Sequence, residues 1–346
     1  GSKAATIIDH ATLTHIPFQR DLREAISTAA GVIPDLLGYP QTAVITGGSE
    51  RDAIYITDSL LLPDPLASGS VPRVNYDLAH EIEVETTGHP AEVPSTEAGY
   101  INIVTRSGGP GVRGELLLHH TNANLIGGLD TPQDLADQNM SLPASRSYLW
   151  DTSLSLYGTL YGDLLRFYTN VRYATEKRNT TFSPWTDPLG VEHSDYESKY
   201  SAKSAFFRMT GNYSQQFKFI GTASYAHRRS PLYSDYSSSR LPEETTALFA
   251  PTKDLLLTGW LNYAMNQKTF VDIKASYVIS DSELRLNEAG ADKASYIDEA
   301  TGYSWGSGAA NNLQDVNRFM GSATLVHFND RVLGGNQIFK LGVDYD

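Results

Sequence analysis

Residues 99–114 read Gly-Tyr-Ile-Asn-Ile-Val-Thr-Arg-Ser-Gly-Gly-Pro-Gly-Val-Arg-Gly, and this stretch decides how the chain is organised. Its first half is an apolar, β-branched run typical of a buried strand. The run then passes through Arg106 and Ser107 into Gly108-Gly109-Pro110-Gly111, which neither a helix nor a central strand tolerates. We therefore expect a strand followed by a joint between two different structural units.

Upstream of the joint, short apolar segments indicate a compact unit of mixed helix and strand. Residues 6–8, 53–58 and 82–86 have the β-branched content of strands. Residues 20–30 predict a helix that ends at Gly31 and places an apolar stripe on one face. The stripe consists of Leu22, Ala25, Ile26 and Ala29.

Glu81, Glu83 and Glu85 alternate with Ile82 and Val84, so one face of the strand over residues 82–86 carries three carboxylates. Two interpretations are open. The carboxylates form the solvated face of an edge strand, which we favour, or they form a surface that contacts a cation or a ligand.

Downstream of the joint, the pattern predicts roughly nine amphipathic strands. They cover residues 113–120, 147–158, 163–176, 201–213, 217–228, 254–264, 269–284, 315–328 and 336–346. Their connections alternate between short turns and long polar loops. Outer-membrane barrels have this arrangement, with short turns on one side of the membrane and long loops on the other. Strands of about 10 residues match the bilayer thickness.

The predicted strands alternate apolar with polar side chains. Val171 and Tyr173 share one face of their strand, while Arg166, Asn170 and Arg172 share the other. Val271 to Ile279 and Phe339 to Tyr345 follow the same rule. In a barrel the apolar set faces lipid and the polar set faces the lumen.

The run Ile101-Asn102-Ile103-Val104-Thr105-Arg106-Ser107-Gly108, preceded by Pro90-Ala91-Glu92, resembles the plug-to-barrel junction of TonB-dependent outer-membrane receptors. The resemblance implies an α+β plug domain over residues 1–109, with Ile16-Pro17 just before its helix, and a membrane antiparallel β-barrel over residues 110–346. It places the junction at Asn102, Thr105, Arg106, Ser107, Gly108 and Gly109.

Nine strands are too few to enclose such a plug. A barrel of about 8 strands is filled by its own side chains, whereas plugged transporters use about 22 strands. A plug of roughly 100 residues has a radius of gyration near 13 Å. We therefore expect residues 110–346 to form only the N-terminal part of the barrel of a longer receptor.

The resemblance also implies a function and partners. The protein would lie in the outer membrane of a Gram-negative bacterium, contact outer-membrane lipid, capture a ligand with extracellular loops, and import it with a TonB-type energy-coupling protein. Candidate ligand contacts are Arg166, Arg172, Trp185, Tyr196, Tyr233 and Trp305. An adhesin or assembly scaffold with the same fold but no energised uptake is the open alternative. An energy-coupling box upstream of residue 1 would favour transport.

Composition argues against several other classes of protein. The net charge is −13 over 346 residues, and residues 1–105 hold 5 Lys and Arg against 14 Asp and Glu, so a nucleic-acid partner is not expected. The chain has no Cys, no run of about 18 apolar residues, no serine nucleophile elbow and no phosphate-binding glycine loop. His119 and His120 are adjacent on a predicted strand and point to opposite faces. We therefore expect no enzyme, no cofactor and no metal site.

Overall fold

The computed structural model describes residues 4–15, 20, 22–34, 43–45, 53–58, 60–61, 75–87, 99–125, 145–162, 164–180, 185–186, 190, 192–193, 196–233, 247–286, 291–300, 304–307, 312–332 and 335–345. Two units follow one another along the chain. A mixed unit, which we call the N-terminal unit, ends at Thr105, and an extended sheet begins at Arg113. The residues between them form the joint that the glycine cluster predicts.

The N-terminal unit is built around a five-stranded sheet. In chain order its elements are β1 (Ala4–Asp9), α1 (His10–His15), α2 (Leu22–Ile26), β2 (Val32–Pro34), β3 (Ala43–Ile45), β4 (Ala53–Thr57), β5 (Leu60–Leu61), a 3-10 turn (Tyr76–Leu78), β6 (Ala79–Thr87) and β7 (Gly99–Thr105). The spatial order of the sheet is β1-β6-β7-β4-β5. β4 and β7 run parallel, and the other pairs are antiparallel.

The core of this unit lies between the helices and one face of the sheet. Ile82, Ile101 and Ile103 from the two central strands are fully buried, and so are Ala25 and Ile26 from α2. The predicted apolar stripe is therefore the buried face of the helix. The helix itself is shorter than predicted, because the amides of Thr28 and Ala29 bond three residues back to Ala25 and Ile26.

Two predictions for this unit need correction. Between the strand predicted at residues 6–8 and Ile16-Pro17 the notional loop contains a helix, α1; the Asp9 side chain caps it by accepting from the amide of Thr12 at 2.8 Å. The edge-strand interpretation of Glu81 to Glu85 is wrong, because β1 pairs outside β6 and makes it an inner strand. Glu85 is fully buried, and only Glu81 and Glu83 keep contact with solvent.

The second unit is a nine-stranded antiparallel sheet, which we call the long sheet. Its strands are β8 (Arg113–Asn122), β9 (Ser145–Tyr161), β10 (Leu165–Thr180), β13 (Tyr196–Asn212), β14 (Phe217–Tyr233), β15 (Ala247–Asn266), β16 (Thr269–Leu286), β19 (Asn312–Val332) and β20 (Gly335–Tyr345). Two hairpins lie within its long connections. They consist of β11 (Trp185–Thr186) with β12 (Glu192–His193), and β17 (Ser295–Ile297) with β18 (Ser304–Gly306).

Each strand of the long sheet pairs with the strands that precede and follow it in the sheet's chain order, from β8 at one edge to β20 at the other. The predicted nine antiparallel strands are confirmed, and each lies where the pattern placed it. Seven of them have 16 to 21 residues each, whereas β8 and β20, at the edges, have 10 and 11. Closure of this sheet into a barrel stays a prediction, because the described strands form an open sheet.

Burial separates the two faces of the long sheet as the alternation predicts. On β10, Tyr168 and Asn170 are at most 1% exposed, whereas Val171 and Tyr173 are 48% and 44% exposed. On β16, Ser276 is buried while Tyr277 is exposed. The N-terminal unit contacts the polar face, which we call the inner face, at β9, β10 and β13. The outer face is apolar.

Among the described helices, none is long and apolar enough to cross a bilayer. Ile16-Pro17 and Pro90-Ala91-Glu92, which support the family resemblance, lie outside the described residues.

The buried position of Ile103 leads to a testable prediction. Ile103→Ala deletes a fully buried side chain at the centre of the N-terminal sheet and should lower the free energy of unfolding by about 2–5 kcal/mol. Ile7→Ala is the matched control, because Ile7 on the edge strand β1 is 62% exposed; its effect should stay within about 0.5 kcal/mol. Denaturant titration monitored by hydrogen exchange of β6 and β7 measures both. Equal effects of the two variants would contradict the assigned core.

Candidate functional site: the interface between the two units

The joint brings the two units into contact through glycines. Gly108 is buried against the long sheet, and a Cβ atom there would lie 2.4 Å from the carbonyl oxygen of Gly158 and 2.5 Å from that of Phe167. Conversely, a Cβ atom on Gly158 would lie 2.3 Å from the carbonyl oxygen of Gly111. Only backbone fits at these positions, so the joint is pressed flat against β9 and β10.

Arg106 fixes the start of the joint. Its amide donates to the carbonyl of Leu78 at 2.8 Å, and its guanidinium pairs with Glu115 on β8 at 2.9 Å. The guanidinium also lies over the rings of Tyr157 and Tyr168, 5.3 and 5.2 Å from their centroids. Burial opposes the charge, but Tyr168 and Glu115 outweigh it and raise the pKa of Arg106. The residue stays cationic and ties the joint to three strands of the long sheet.

Asp58, Thr105 and Arg208 form a first polar cluster across the interface, which we call the Asp58 latch. Asp58 accepts from the Thr105 amide at 2.9 Å and from its hydroxyl at 2.6 Å. Arg208 on β13 donates to the Asp58 carboxylate at 2.8 Å and to the Thr105 carbonyl at 2.9 Å. Asp58 has a φ of 50°, an uncommon conformation for a residue with a side chain. The turn between β4 and β5 therefore aims this carboxylate at the long sheet.

A second cluster, the Asp77 latch, contains Arg20, Asn75 and Asp77 from the N-terminal unit and Asp151 and Arg172 from the long sheet. Arg172 binds both oxygens of Asp151, at 2.8 and 2.6 Å, and donates to Asn75 at 2.7 Å. Arg20 contacts both oxygens of Asp77, and its Nε lies 3.2 Å from Asp151. Two cations and two anions thus neutralise one another away from water.

Amide and hydroxyl groups extend the Asp77 latch along the inner face. Asn75 donates to the side-chain oxygen of Asn170 at 2.9 Å, and Asn170 donates to Ser153 and Ser155 at the same distance. The Tyr168 hydroxyl donates to the carbonyl of Asp77 at 3.2 Å. Buried polar groups that are paired in this way fix one orientation of the two units.

A small apolar contact and a cavity adjoin the Asp58 latch. Leu78 packs with Tyr168 and Phe206 in a cluster shared by both units. Next to it is a cavity of about 20 Å³, enough for one water molecule. Its lining residues are Thr57, Asp58, Leu78, Thr105, Phe206, Thr222, Ser224, Leu256 and Thr258. The interface is therefore mainly polar.

The predicted junction residues have different roles. Thr105, Arg106 and Gly108 make the contacts described above. Asn102 lies in β7, opposite Glu83 of β6 and Ile56 of β4. Ser107 is exposed, and a Cβ atom on Gly109 would meet no atom within 4 Å. The interface therefore uses only part of the predicted junction.

The predicted ligand contacts fall into two places, and their role stays a prediction. Arg166 and Arg172 lie on the inner face of β10, and Arg172 belongs to the Asp77 latch. The aromatic residues lie in or beside the long connections. Trp185 is in β11, Tyr196 begins β13, Tyr233 ends β14, and Trp305 in β18 stacks on Tyr296 with ring centroids 5.5 Å apart. In the described strands, the two arginines thus lie within β10, whereas these aromatics lie at strand ends or in the hairpins of the long connections.

Sequence reasoning missed most of the interface. Arg20, Asp77, Asp151 and Arg208 carry charges in it, Asn75 supplies hydrogen bonds, and none of the five lies in a recognisable motif. One signal was present: Asp151 and Arg208 are charged residues on predicted strands, on the face that the alternation assigns to the interior. No group of three or more His, Asp or Glu side chains in the described part of the chain is arranged to hold a metal ion.

No protein-family model and no curated protein matches this sequence. Solved structures do match its fold. The outer membrane transporter YddB from Escherichia coli matches with a TM-score of 0.73 and 12% identity over 98% of this chain and 47% of YddB. The siderophore receptor PirA from Acinetobacter baumannii matches with a TM-score of 0.67 and 12% identity over 98% and 47%. A mutant of the ferric enterobactin receptor PfeA from Pseudomonas aeruginosa matches with a TM-score of 0.65 and 14% identity over 98% and 48%.

The chain thus spans about half the length of each of these three structures. Identities of 12% to 14% show a common fold. The resemblance to outer-membrane receptors, predicted from Ile101 to Gly108, is confirmed at the level of the fold.

The close approach at Gly108 gives a prediction with an internal control. Gly108→Ala should weaken the docking of the joint on β9 and β10, at a cost of about 1–3 kcal/mol, because the added methyl meets backbone atoms. Gly109→Ala should leave stability within about 0.5 kcal/mol, because open space surrounds that position. Limited proteolysis of the joint measures the difference. Equal protection of the two variants would contradict the contact.

His10 gives a prediction about pH. Burial, followed by the neighbouring Arg106, lowers the pKa of its imidazole below the ordinary 6.5, while Glu115 acts in the opposite direction. The unfolded chain therefore binds this proton more readily, and the stability of the N-terminal unit should fall as the pH drops below about 6.5. His10→Gln should flatten this part of the profile in thermal unfolding measured from pH 5 to 8. An unchanged slope in the variant would show that His10 is not responsible.

Proposed function

We propose that this protein is a TonB-dependent outer-membrane receptor in which residues 1–109 form the plug and residues 110–346 form the first strands of the barrel. One observation carries the proposal. Charged side chains fix the N-terminal unit on the polar inner face of a long antiparallel sheet whose outer face is apolar. A domain held in this way can close the lumen of a barrel, and it can be released without separating a large hydrophobic core.

The outer face supports a position in a membrane. Large apolar side chains are exposed along its strands, among them Leu156, Ile273 and Leu341 at 42%, 46% and 73% exposure. Soluble monomers rarely expose contiguous apolar patches of this extent. A lipid-facing band flanked by aromatic residues accounts for them. We infer that outer-membrane lipid covers this face.

Aromatic residues occur near both ends of this band. Tyr161, Tyr213 and Tyr263 are exposed next to short connections of the sheet, and Trp150 is exposed towards a long-connection end. Trp150 and Tyr161 are separated by about 36 Å of extended chain. For a strand tilted by about 45° this separation corresponds to a band about 25 Å tall, as in outer-membrane barrels.

The two latches support the plug role. Arg208 and Asp58 are 9% and 10% exposed in their side chains, and Asp77 and Asp151 are 5% and 4% exposed. Replacing a buried ion pair by apolar groups is often neutral or stabilising, so such pairs contribute orientation more than free energy. A closure that must open repeatedly benefits from contacts that hydrated groups can replace.

Ligand capture and energised import complete the proposal. Trp185, Tyr196, Tyr233 and Trp305 belong to the long-connection end of the sheet, where a receptor presents its extracellular loops. Arg166 and Arg172 are closer to the plug and would meet a ligand only after the plug moves. A TonB-type protein would supply the force for that movement.

The proposal predicts where the protein is located and how a latch variant changes the permeability of the outer membrane. The full-length protein should fractionate with the outer membrane. Arg208→Met leaves the buried Asp58 carboxylate without its arginine, at a cost of about 3–5 kcal/mol to plug docking. Cells that produce this variant should become more sensitive to vancomycin, a hydrophilic antibiotic that an intact outer membrane excludes. Arg208→Met combined with Asp58→Asn should restore much of the resistance.

Two outcomes would count against this function. Recovery of the protein only from soluble fractions would remove it from the membrane. Unchanged vancomycin sensitivity in Arg208→Met, with the variant correctly inserted, would show that the N-terminal unit does not close a pore. Dissipating the proton-motive force separates the alternatives, because ligand uptake by a transporter stops while an adhesin or scaffold keeps its activity.

A further inference from the structure

Arg20 lies outside both sheets, yet its side chain reaches across the interface. It follows the end of α1 at His15 by five residues and contacts Asp77 of the N-terminal unit and Asp151 of the long sheet. Its side chain is 13% exposed. Its φ of 56° is unfavourable for a residue with a side chain, so its surroundings must hold it in place.

The charges of the Asp77 latch depend unequally on Arg20. Asp151 receives two hydrogen bonds from Arg172 and keeps them if Arg20 leaves. Asp77 has its ion pair with Arg20. The latch is neutral while Arg20 is present. Withdrawal of Arg20 would leave the Asp77 carboxylate, which is 5% exposed, without a cation in contact.

Asp77 also lies in the turn, residues 75–78, that holds the N-terminal unit on the long sheet. The carbonyl of Asp77 accepts from Tyr168, Asn75 bonds to Asn170 and Arg172, and the carbonyl of Leu78 accepts from the Arg106 amide. A buried carboxylate without a cation in the middle of this turn destabilises the docked position, because exposure to water would stabilise its charge. The turn would then lose these contacts.

We propose that Arg20 is a positioning residue that couples the N-terminal segment, residues 4–15, to the Asp77 latch. Displacement of the N-terminal segment withdraws Arg20, leaves Asp77 buried and unpaired, and so releases residues 75–78 from β9 and β10. The separation along the chain is short, because only four residues lie between His15 at the end of α1 and Arg20. The inference concerns the interface of the proposed function, but it requires neither a ligand nor an energy-coupling partner.

Hydrogen exchange of the full-length protein in detergent tests the electrostatic step. Arg20→Met should accelerate exchange of the Leu78 and Arg106 amides roughly 100-fold, the equivalent of about 3 kcal/mol for a broken buried pair. Arg20→Met combined with Asp77→Asn should restore protection to within about tenfold of the natural protein, because both charges are then absent. Arg20→Met combined with Asp58→Asn is the matched control and should not restore it.

A double-mutant cycle tests the coupling itself. Ile8→Asp places a charge at a position of β1 that is 3% exposed and should detach the N-terminal segment. The Tyr76 hydroxyl also donates to the Leu13 carbonyl and joins the segment to this turn, so the cycle is run in a Tyr76→Phe background. There Ile8→Asp should accelerate exchange at Leu78 and should add little once Arg20→Met is present. Arg20→Lys, which keeps the charge, should resemble the natural protein more closely than Arg20→Met does.

Three results would overturn the inference. Exchange at Leu78 that does not respond to Arg20→Met would remove Arg20 from the latch. Equal rescue by Asp77→Asn and Asp58→Asn would show that the pairing is not specific. Full additivity of Ile8→Asp and Arg20→Met would show that the N-terminal segment and the latch are independent. Absence of the protein from the outer membrane would contradict the proposed function and leave this cycle unchanged.

Discussion

The whole arrangement depends on burying charges of opposite sign between two sheets that otherwise share little apolar contact. Arg172 and Arg208 from the long sheet and Asp58 and Asp77 from the N-terminal unit are each paired within the interface. Because a buried charge without a partner costs several kcal/mol, the units fit together in one orientation only. Orientation is therefore encoded in charge, while stability comes from the separate core of isoleucines around Ile103.

The glycine joint makes this charge pairing possible. Gly108 and Gly158 allow backbone to lie on backbone, which brings β7 close enough for Thr105 to share hydrogen bonds with both Asp58 and Arg208. A larger residue at either glycine would separate the groups by the thickness of a methyl. Hydrogen bonds weaken steeply over such a distance, so packing of the joint and strength of the latch are linked.

Periodicity was sufficient to predict the strands but not the interface. Alternation along β10 identified its inner and outer faces. The same two-residue repeat located all nine strands, because it is a local property of the sequence. The pairing of Arg208 with Asp58 joins positions 150 residues apart, and no local pattern specifies it. The edge-strand prediction for Glu81 to Glu85 was wrong for the same reason. β1, from a distant part of the chain, pairs with the strand that was predicted to be an edge. Helix α1 was missed because six residues are too few for a periodic signal.

The sequential order of the long sheet has a consequence for biogenesis. Every latch partner in that sheet lies on β9, β10 or β13, which are the second to fourth of its nine strands. If the strands pair in chain order, both clusters are therefore complete before the remaining five strands join the sheet. The early strands then pack on the N-terminal unit, which shortens the time during which their unpaired edges can aggregate.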